Sequence, residues 1–321
     1  MKANICALSF PGYFPPFSYE QHLELIEKCS VSPRCEVMTI GKSLQGRDIE
    51  CIKTGTGPLV AWVIHRQHPG ESQAEYFARG LLGRLLGLDD QGSVDGMTKN
   101  ALRAFTFYIV PNMCPDGSVL GHIRTNACGA NLNREWCDSP DKCGGYKAPS
   151  LERSPEVHCV LNKMDETGCD IFCDVHGDEE FPYNFIAGSE GVKHWGPRLM
   201  GLQGAFLAAY ERSNSDMQRE YSYDPDDALG AALNICSNQI ADRFDCLSVT
   251  LEMPYKDCST NPDPERGWST GRCEKLGANL IDAFYYVRDW VRTDEPFWEK
   301  LGEKDAYIRP CEPEVRGHTI Q

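Results

Sequence analysis

One segment of the chain reads Leu59-Val-Ala-Trp-Val-Ile-His-Arg-Gln-His-Pro-Gly-Glu71, a continuous apolar run that passes directly into a polar turn. The run at 59–64 has turn signals on both sides, which predicts a strand buried on both faces in the middle of a parallel sheet. Pro69 and Gly70 then bend the chain, so that His68 and Glu71 face the same point across a tight turn. These two side chains are therefore candidates to bind one metal ion together.

Two later strand ends supply the remaining parts of such a site. His176 and Glu252 each directly follow an apolar segment that predicts a strand. In open parallel sheets, ligands bind beyond the carboxyl ends of the strands, so these side chains are expected near the first turn. His68, Glu71 and His176 would leave the fourth position of a zinc ion for water, whose pKa then falls toward neutrality. With Glu252 as the base, the sequence predicts metal-assisted hydrolysis with one zinc per chain.

Each motif has a less specific explanation when it is taken alone. The chain contains eight histidines, so a chance match to His-x-x-Glu is expected, and a single histidine at a strand end is more often structural. His65 lies inside the apolar run, and we interpret it as structural. The acidic sequence around His176 also fits an exposed loop. The ordered combination of all the motifs argues against chance.

The segment between residues 112 and 150 is long for a connection inside a compact domain, and such loops usually carry function. It contains Arg124 and the pair Asn133-Arg134. An arginine fork and an amide can grip a carboxylate, and a cation beside a metal can stabilise the oxyanion of a tetrahedral intermediate. Alternatively, the segment is a solvated turn anchored by Trp136, and Arg124 is a surface residue paired with an acid.

Periodicity along the rest of the chain predicts alternating strands and helices. Ser18 to Gln21 forms a capping box for a helix that extends to about residue 29. Strands are predicted at 36–40, 49–53, 59–64, 106–110, 170–175 and 247–251, and helices at 72–86, from 154, and at 198–212, 238–243 and 273–291. Such alternation implies an α/β fold in which helices cover both faces of an open, largely parallel sheet.

The charge and the cysteine content restrict the partners and the compartment. Lys and Arg total 32 and Asp and Glu total 47, so the net charge of −15 disfavours nucleic acid and anionic membranes as partners. No apolar run is long enough to span a membrane, and the short run at 5–10 does not resemble a cleavable signal. Sixteen cysteines, without a C-x-x-C pair and partly within apolar runs, predict free thiols and a cytoplasmic location.

Several motifs occur in a fixed order along the chain. They are His68-x-x-Glu71, Pro115-Asp-Gly117, Arg124, Asn133-Arg134, His176 and Thr250-x-Glu252. This order resembles the zinc metallocarboxypeptidases. Within that family, the sequence is most similar to the bacterial-type members of the cytosolic carboxypeptidase (deglutamylase-like) branch. The segments that carry this similarity are Arg66-Gln-His-Pro-Gly-Glu71, Asn131-Leu-Asn-Arg-Glu-Trp136 and Thr250-Leu-Glu-Met-Pro254. The resemblance covers residues 14–290.

This resemblance implies a fold and a metal centre. The expected fold is a three-layer α/β/α sandwich around a mixed, mostly parallel sheet. The expected centre is a zinc ion held by His68, Glu71 and His176, with Glu252 as general base and acid.

The resemblance also implies how a substrate binds. Arg124 would stabilise the oxyanion, and Asn133 with Arg134 would bind the terminal carboxylate. The expected partner is the C-terminal tail of a peptide or protein, cleaved at a peptide or isopeptide-like bond. Relatives that trim glutamate chains extend this expectation to acidic residues.

Two departures from the family pattern concern the N-terminus and the metal site. The branch normally carries a β-sandwich domain before the catalytic domain. Here residues 1–16 would be its remnant, with 7–16 as its last strand, and residues 17–321 would form the catalytic domain. Asn131 stands where the family often has an Asp that orients a zinc histidine, and its side chain can accept the same hydrogen bond.

A third departure concerns the side-chain pocket. Glutamate-trimming members have an arginine fifteen residues before the catalytic glutamate. Ser237 holds this position here, and we expect it to cap the helix at 238–243. Arg243 is an alternative source of positive charge. The mobile tyrosine that closes over the substrate in the family has two candidates, Tyr221 and Tyr223.

Two other functions remain compatible with the same motifs. An amidohydrolase acting on N-acyl amino acids would use the same metal triad without a groove for a peptide. A catalytically inactive binding module could keep the fold alone. The intact set of metal, base and oxyanion candidates favours the carboxypeptidase.

Overall fold

Parallel strands at the centre of a seven-stranded sheet organise the fold. The computed structural model describes residues 14–88, 92–138 and 147–313. In chain order the strands are β1 Cys35–Lys42, β2 Asp48–Gly55, β3 Leu59–His65, β4 Phe105–Val110, β5 Ile171–Asp178, β6 Phe185–Ala187 and β7 Leu247–Pro254. Their order across the sheet is β1-β2-β4-β3-β5-β7-β6.

The four central strands, β4, β3, β5 and β7, run parallel to one another. The pairs β1–β2, β2–β4 and β6–β7 are antiparallel. Every residue of β5 and of β7 is buried, as expected for strands covered on both faces. The predicted mixed sheet with a parallel centre is therefore confirmed.

Helices cover both faces of this sheet. In chain order they are α1 Tyr19–Ser30, α2 Gln73–Leu86, α3 Gly96–Ala104, α4 Pro115–Leu120, α5 Pro155–Thr167, α6 Pro197–Ser213, α7 Cys236–Phe244 and α8 Thr270–Val287. Ala61 and Val63 of β3 belong to a core formed with α2, α6 and α8, whereas Trp62 and Ile64 belong to a core formed with α5 and α7. The strand therefore alternates between two apolar layers, and the α/β/α architecture is confirmed.

Local sequence signals explain most of the element boundaries. The predicted capping box is present, because Ser18 Oγ accepts from the Gln21 backbone N–H and Gln21 Oε1 accepts from the Ser18 backbone N–H. α2 ends where Gly87 adopts a left-handed conformation, with φ of 68°. Helix α5 begins after Ser154 as predicted. However, the Ser154 hydroxyl does not cap it, because it lies 3.3 Å from a carboxylate oxygen of Glu135.

Some elements differ from the sequence prediction. His176 and Glu252 lie within β5 and β7 rather than beyond them, because backbone pairing continues past the apolar segments to Asp178 and Pro254. Helices α3 and α4 and the short strand β6 are not predicted. α4, which begins at Pro115, interrupts the segment predicted to be a long loop. The strand predicted at 7–16 lies almost entirely outside the described residues.

Among the described cysteines, the prediction of free thiols fails at one position. Cys173, Cys236 and Cys246 are free and buried. Cys137 is disulfide-bonded, so the prediction of free thiols is wrong there. Sequence spacing does not reveal which cysteines folding brings within bonding distance. Among the helices of the described residues, none is long and apolar enough to cross a bilayer.

Two glycines allow α2 and α8 to pack closely. A Cβ atom on Gly80 would collide with the backbone of Glu274, and one on Gly277 would collide with the carbonyl oxygen of Phe77. Because both obstacles are backbone or rigidly held, a rotamer change cannot relieve the collision. The contact of these two helices over the central sheet therefore depends on both glycines.

We expect Gly277→Ala to lower the free energy of unfolding by about 1–3 kcal/mol, since it forces the helices apart. Gly271→Ala is the matched control, because Gly271 is exposed in the first turn of the same helix and an added Cβ meets nothing within 4 Å. It should be neutral or slightly stabilising. Urea unfolding followed by circular dichroism measures both variants, and equal midpoints would contradict the packing argument.

Candidate metal centre and active site

Three side chains from two parts of the fold converge on one point. His68 and Glu71 lie in the turn between β3 and α2, and His176 lies in β5. The Nδ1 atoms of the two histidines are 3.2 Å apart, and the Glu71 carboxylate approaches them at 2.6 Å and 2.8 Å. All three side chains are buried. Within the described part of the chain they form one group of ligand atoms that could hold a metal ion.

The hydrogen bonds behind the two imidazoles show that the site fits zinc. Nε2 of His68 lies 2.9 Å from Asn131 Oδ1, and Nε2 of His176 lies 2.9 Å from Asp174 Oδ2. These acceptors favour the tautomer with the proton on Nε2, which leaves on each Nδ1 a lone pair that faces the other ring. Such lone pairs beside a carboxylate repel one another unless a cation lies between them. The predicted hydrogen bond to Asn131 is confirmed.

A chain of hydrogen bonds supports the ligands from behind. Trp136 Nε1 donates to Gln67 Oε1 at 2.8 Å, and Gln67 Nε2 donates to Asp174 Oδ2 at 2.6 Å. Asp174 in turn contacts His176, so a residue of the long loop fixes the orientation of a metal ligand on β5. Gln67 and Asp174 are functional residues that the sequence analysis missed. Their positions could have indicated them, because Gln67 directly precedes His68 and Asp174 lies two residues before His176.

The turn that carries the first two ligands is held by Arg66. This residue adopts a left-handed conformation with φ of 57°, which is uncommon for a residue with a side chain. Its guanidinium donates to the carbonyl oxygen of Pro69 at 2.9 Å and forms a buried ion pair with Glu75. His65, the preceding residue, is bonded through Nδ1 to the carbonyl oxygen of Val110 and lies outside the ligand group, as its structural interpretation requires.

Glu252 stands beside the metal ligands because of the strand register. It pairs directly with His176 across β5 and β7. The side chain is buried, and its Oε2 atom has no hydrogen-bond partner. Burial raises the pKa of the Glu252 carboxyl, His176 opposes this shift, and the Glu71 carboxylate adds to it. An unpartnered carboxylate oxygen beside a metal site is positioned to accept a proton.

A cavity of about 570 Å³ opens over the ligands and also contains the predicted substrate residues Arg124, Asn133 and Arg134. Arg124 is exposed, and Asn133 is buried. The Cys236 backbone N–H donates to Asn133 Oδ1 at 2.9 Å, which leaves the amide NH₂ group to donate elsewhere. Arg134 Nη1 donates to the Asn133 carbonyl oxygen at 2.7 Å. The fold thus brings all of the predicted site residues to one cavity or its base.

The loop with Arg124 is attached directly to the metal turn. The Gly70 backbone N–H donates to the Ile123 carbonyl oxygen at 2.8 Å. A Cβ atom at Gly70 would collide with Ile123, so the absence of a side chain permits this approach. Arg124 is therefore positioned by the turn between two metal ligands.

Ser237 and Arg243 do not have the roles expected from the sequence. Ser237 lies inside α7 rather than before it, and its Oγ accepts a hydrogen bond from Thr250 Oγ1 at 2.9 Å. It lines the cavity, but the capping prediction is wrong, because a hydroxyl from β7 binds its side chain instead. Arg243 forms ion pairs with Asp138 and Asp165 and does not line the cavity. No described lysine, and no described arginine besides Arg124 and Arg134, lines it.

The structure separates the two tyrosine candidates. Tyr223 lines the cavity, and its hydroxyl donates to Asp178 Oδ2 at 2.6 Å. Tyr221 packs against the Tyr183 ring and is not part of the cavity lining.

Known proteins that are similar to this chain include zinc carboxypeptidases. The family model for zinc carboxypeptidases, Peptidase M14, matches residues 20–257. An uncharacterized protein of Zymomonas mobilis is 42% identical over 278 residues, which cover 85% of this chain and 68% of that protein. The structure of a metallo-carboxypeptidase from Pseudomonas aeruginosa in complex with (2-guanidinoethylmercapto)succinic acid is 39% identical, with a TM-score of 0.80, covering 87% of this chain and 71% of that one. Cytosolic carboxypeptidase 6 of Caenorhabditis elegans is 23% identical over 207 residues, 59% of this chain and 39% of that protein.

We expect the purified protein to contain one zinc ion per chain. The variants His68→Ala and His176→Ala should each lose most of this zinc on dialysis, because the two ligands that remain bind zinc weakly. His194→Ala is the matched control, because this exposed histidine lies outside the ligand group, and the variant should keep its zinc. Atomic emission spectrometry gives the zinc content. Full zinc in both ligand variants would rule out this site.

Proposed function

Because the chain belongs to the zinc carboxypeptidase family and is therefore a metallocarboxypeptidase, we propose that it removes the last residue from the C-terminal tail of a peptide or protein. The bond cleaved is a peptide or isopeptide-like bond. One observation carries the proposal: a single cavity contains the metal-facing His68 and Glu71, the base candidate Glu252 and the carboxylate-binding pair Asn133 and Arg134.

We assign the zinc to His68, Glu71 and His176. The ion supplies a Lewis acid that polarises a carbonyl group and makes water nucleophilic near neutral pH. The protein's part is to hold the ligands in place before the substrate arrives. Arg66 fixes the turn, and Asn131 and Asp174 fix the two imidazole rings.

Glu252 is the proposed general base and acid. Its unpartnered Oε2 can accept a proton from the attacking water and then pass it to the amine that leaves. Arg124 can donate to the carbonyl oxygen as negative charge develops there, because it lines the same cavity and is attached to the metal turn through Ile123. These two roles use groups that approach the scissile carbonyl from different elements.

Asn133 and Arg134 are the proposed sensors of the free C-terminus. The planar guanidinium can bind both oxygens of a carboxylate, and the Asn133 amide is held so that its NH₂ group remains available. The Pseudomonas relative forms its complex with a succinic acid derivative, which supports a ligand that bears carboxylates. This pair distinguishes removal of a terminal residue from cleavage inside a chain.

We do not extend the proposal to acidic side chains. Ser237 occupies the position that carries an arginine in glutamate-trimming relatives, and Arg243 is engaged by Asp138 and Asp165 away from the cavity. Arg124 and Arg134 are already assigned to the backbone end of the substrate. An acidic side chain would therefore lack a cation of its own among the described lining residues.

The organisation and location of the protein are also proposals. The match to the family at residues 20–257 lies within the catalytic domain that we propose at 17–321. Free thiols at buried cysteines such as Cys173 and Cys246 support a reducing compartment, which we propose to be the cytoplasm.

Replacing Glu252 tests the proton-transfer step. Glu252→Gln keeps the shape of the side chain but removes the base, so kcat should fall by roughly 100- to 10,000-fold while zinc content stays unchanged. Glu220→Gln removes an exposed carboxylate outside the cavity and should retain full activity. Single-turnover rates measure the chemical step. A Glu252→Gln rate above a tenth of the normal value would show that another group is the base.

The grip on the free C-terminus has an independent test. Amidating the substrate C-terminus should lower kcat/KM by roughly 10- to 150-fold, because a neutral amide cannot receive the arginine fork. Arg134→Ala should abolish most of this difference, whereas Arg266→Ala, at an exposed arginine outside the cavity, should preserve it. Equal kcat/KM for matched acid and amide peptides in the unmodified enzyme would favour an amidohydrolase or an endopeptidase instead.

A further inference from the structure

The walls of the active-site cavity are strongly acidic. Apart from Glu71 and Glu252, the carboxylates that line it are Asp178, Glu179, Glu180, Glu190, Asp224 and Asp226. The only arginines that line it, among the described residues, are Arg124 and Arg134. The cavity therefore has an excess of negative charge that the proposed reaction does not use.

These carboxylates are not equivalent. Glu179, Glu180, Asp224 and Asp226 are exposed, so water screens their charges. Asp178 is buried but engaged, since it accepts from the Tyr223 hydroxyl and from two backbone N–H groups. Glu190 is different, because only 8% of its surface is exposed and it lines the cavity.

The hydrogen-bond partners of Glu190 are both neutral. Gln203 Nε2 donates to Oε1 at 2.7 Å, and the Tyr307 hydroxyl donates to the same oxygen at 3.0 Å. Neither donor reaches Oε2, which leaves that oxygen for a ligand. No lysine or arginine in the described ranges forms an ion pair with this carboxylate. A buried carboxylate without a cation is costly, and proteins normally pair such a group.

The backbone around Glu190 is held firmly against the sheet. β6 pairs with β7, with Ala187 opposite Thr250, and the Ser189 hydroxyl donates to the Ser248 carbonyl oxygen at 2.9 Å. The Gln203 amide and the Glu190 carboxylate lie so close to Gly188 that a Cβ there would displace them. The carboxylate is thus fixed in place within the cavity wall.

We propose that Glu190 determines specificity by receiving a cationic side chain on the last residue of the substrate, that of lysine or arginine. This inference rests on the proposed function, because it places the α-carboxylate of that residue at Asn133 and Arg134. The substrate cation is the partner that Glu190 lacks among the described residues. Asp224 and Asp226 at the exposed edge of the cavity attract the same side chain during entry.

The uncharged groups of the cavity agree with this assignment. Ser237 and Asn238 offer small polar side chains rather than an apolar surface, and Ile235 supplies a short apolar contact. A long side chain with an apolar stem and a charged end suits such a lining. The volume of about 570 Å³ is sufficient for an arginine together with the residue before it.

The experiment compares peptides that differ in one charge and not in shape. Two acylated dipeptides end in arginine or in citrulline, which is neutral and has nearly the same size, and a third ends in glutamate. We expect kcat/KM for arginine to exceed that for citrulline by roughly 10- to 100-fold, the effect of one buried charge-assisted contact. The glutamate peptide should be the poorest substrate.

A variant then tests whether Glu190 is responsible. Glu190→Gln keeps the hydrogen-bond acceptor for Gln203 and Tyr307 but removes the charge, so the ratio of arginine to citrulline should fall toward one. Asp227→Asn is the matched control, because it removes one charge from an exposed residue that does not line the cavity. It should leave the ratio unchanged. The ratio in the unmodified enzyme stands as a test even when the Glu190→Gln protein does not fold.

The outcomes separate this inference from the proposed function. Hydrolysis of none of the free-acid peptides would count against the carboxypeptidase itself. Hydrolysis that favours citrulline or glutamate over arginine would leave the carboxypeptidase standing and overturn the inference. A preference for arginine that survives in Glu190→Gln would assign the selection to another group and overturn the role of Glu190.

Discussion

Parallel pairing of β5 with β3 on one side and β7 on the other is the constraint on which the site depends. It places Ile64 opposite Asp174 and places His176 opposite Glu252. A slip of one residue in either pairing would turn the metal ligand or the base to the opposite face of the sheet. Because every residue of β5 and β7 is buried, such a slip would also exchange the side chains that pack into the two cores, so packing on both faces holds the catalytic register.

The parts of the site that lie close together in the sequence could be predicted from it. His68 and Glu71 are separated by a two-residue bend after a strand, and His176 ends an apolar segment, so local geometry alone aims them at one edge of the sheet. Membership of the zinc carboxypeptidase family is confirmed. The substitution at Asn131 was also interpretable, because an amide oxygen accepts the same imidazole proton as a carboxylate.

The parts that depend on distant contacts could not be predicted. Ser154 and Ser237 both look like helix caps, but Glu135 and Thr250 approach their hydroxyl groups from other elements. Glu190 has no motif around it. Its significance appears only when Gln203 and the side chain of Tyr307, far away in sequence, are seen to supply neutral partners to a buried carboxylate. Local sequence preferences cannot predict that a buried carboxylate will lack a cationic partner in the folded protein.

With the roles proposed for Glu190 and Arg134, the distribution of charge in the cavity would also set the direction in which a substrate binds. Among the described side chains of the lining, only Arg124 and Arg134 attract its α-carboxylate, and the acidic side chains repel it, while a cationic side chain experiences the reverse. A substrate that entered with these two groups exchanged would place a carboxylate against Glu190 and a cation against the arginines, and both contacts would be unfavourable. The same charges that select the residue therefore also orient the scissile carbonyl toward the metal ligands and Glu252. The charges that select the terminal residue would therefore also align the substrate for catalysis, because contacts between like charges exclude the reversed binding mode.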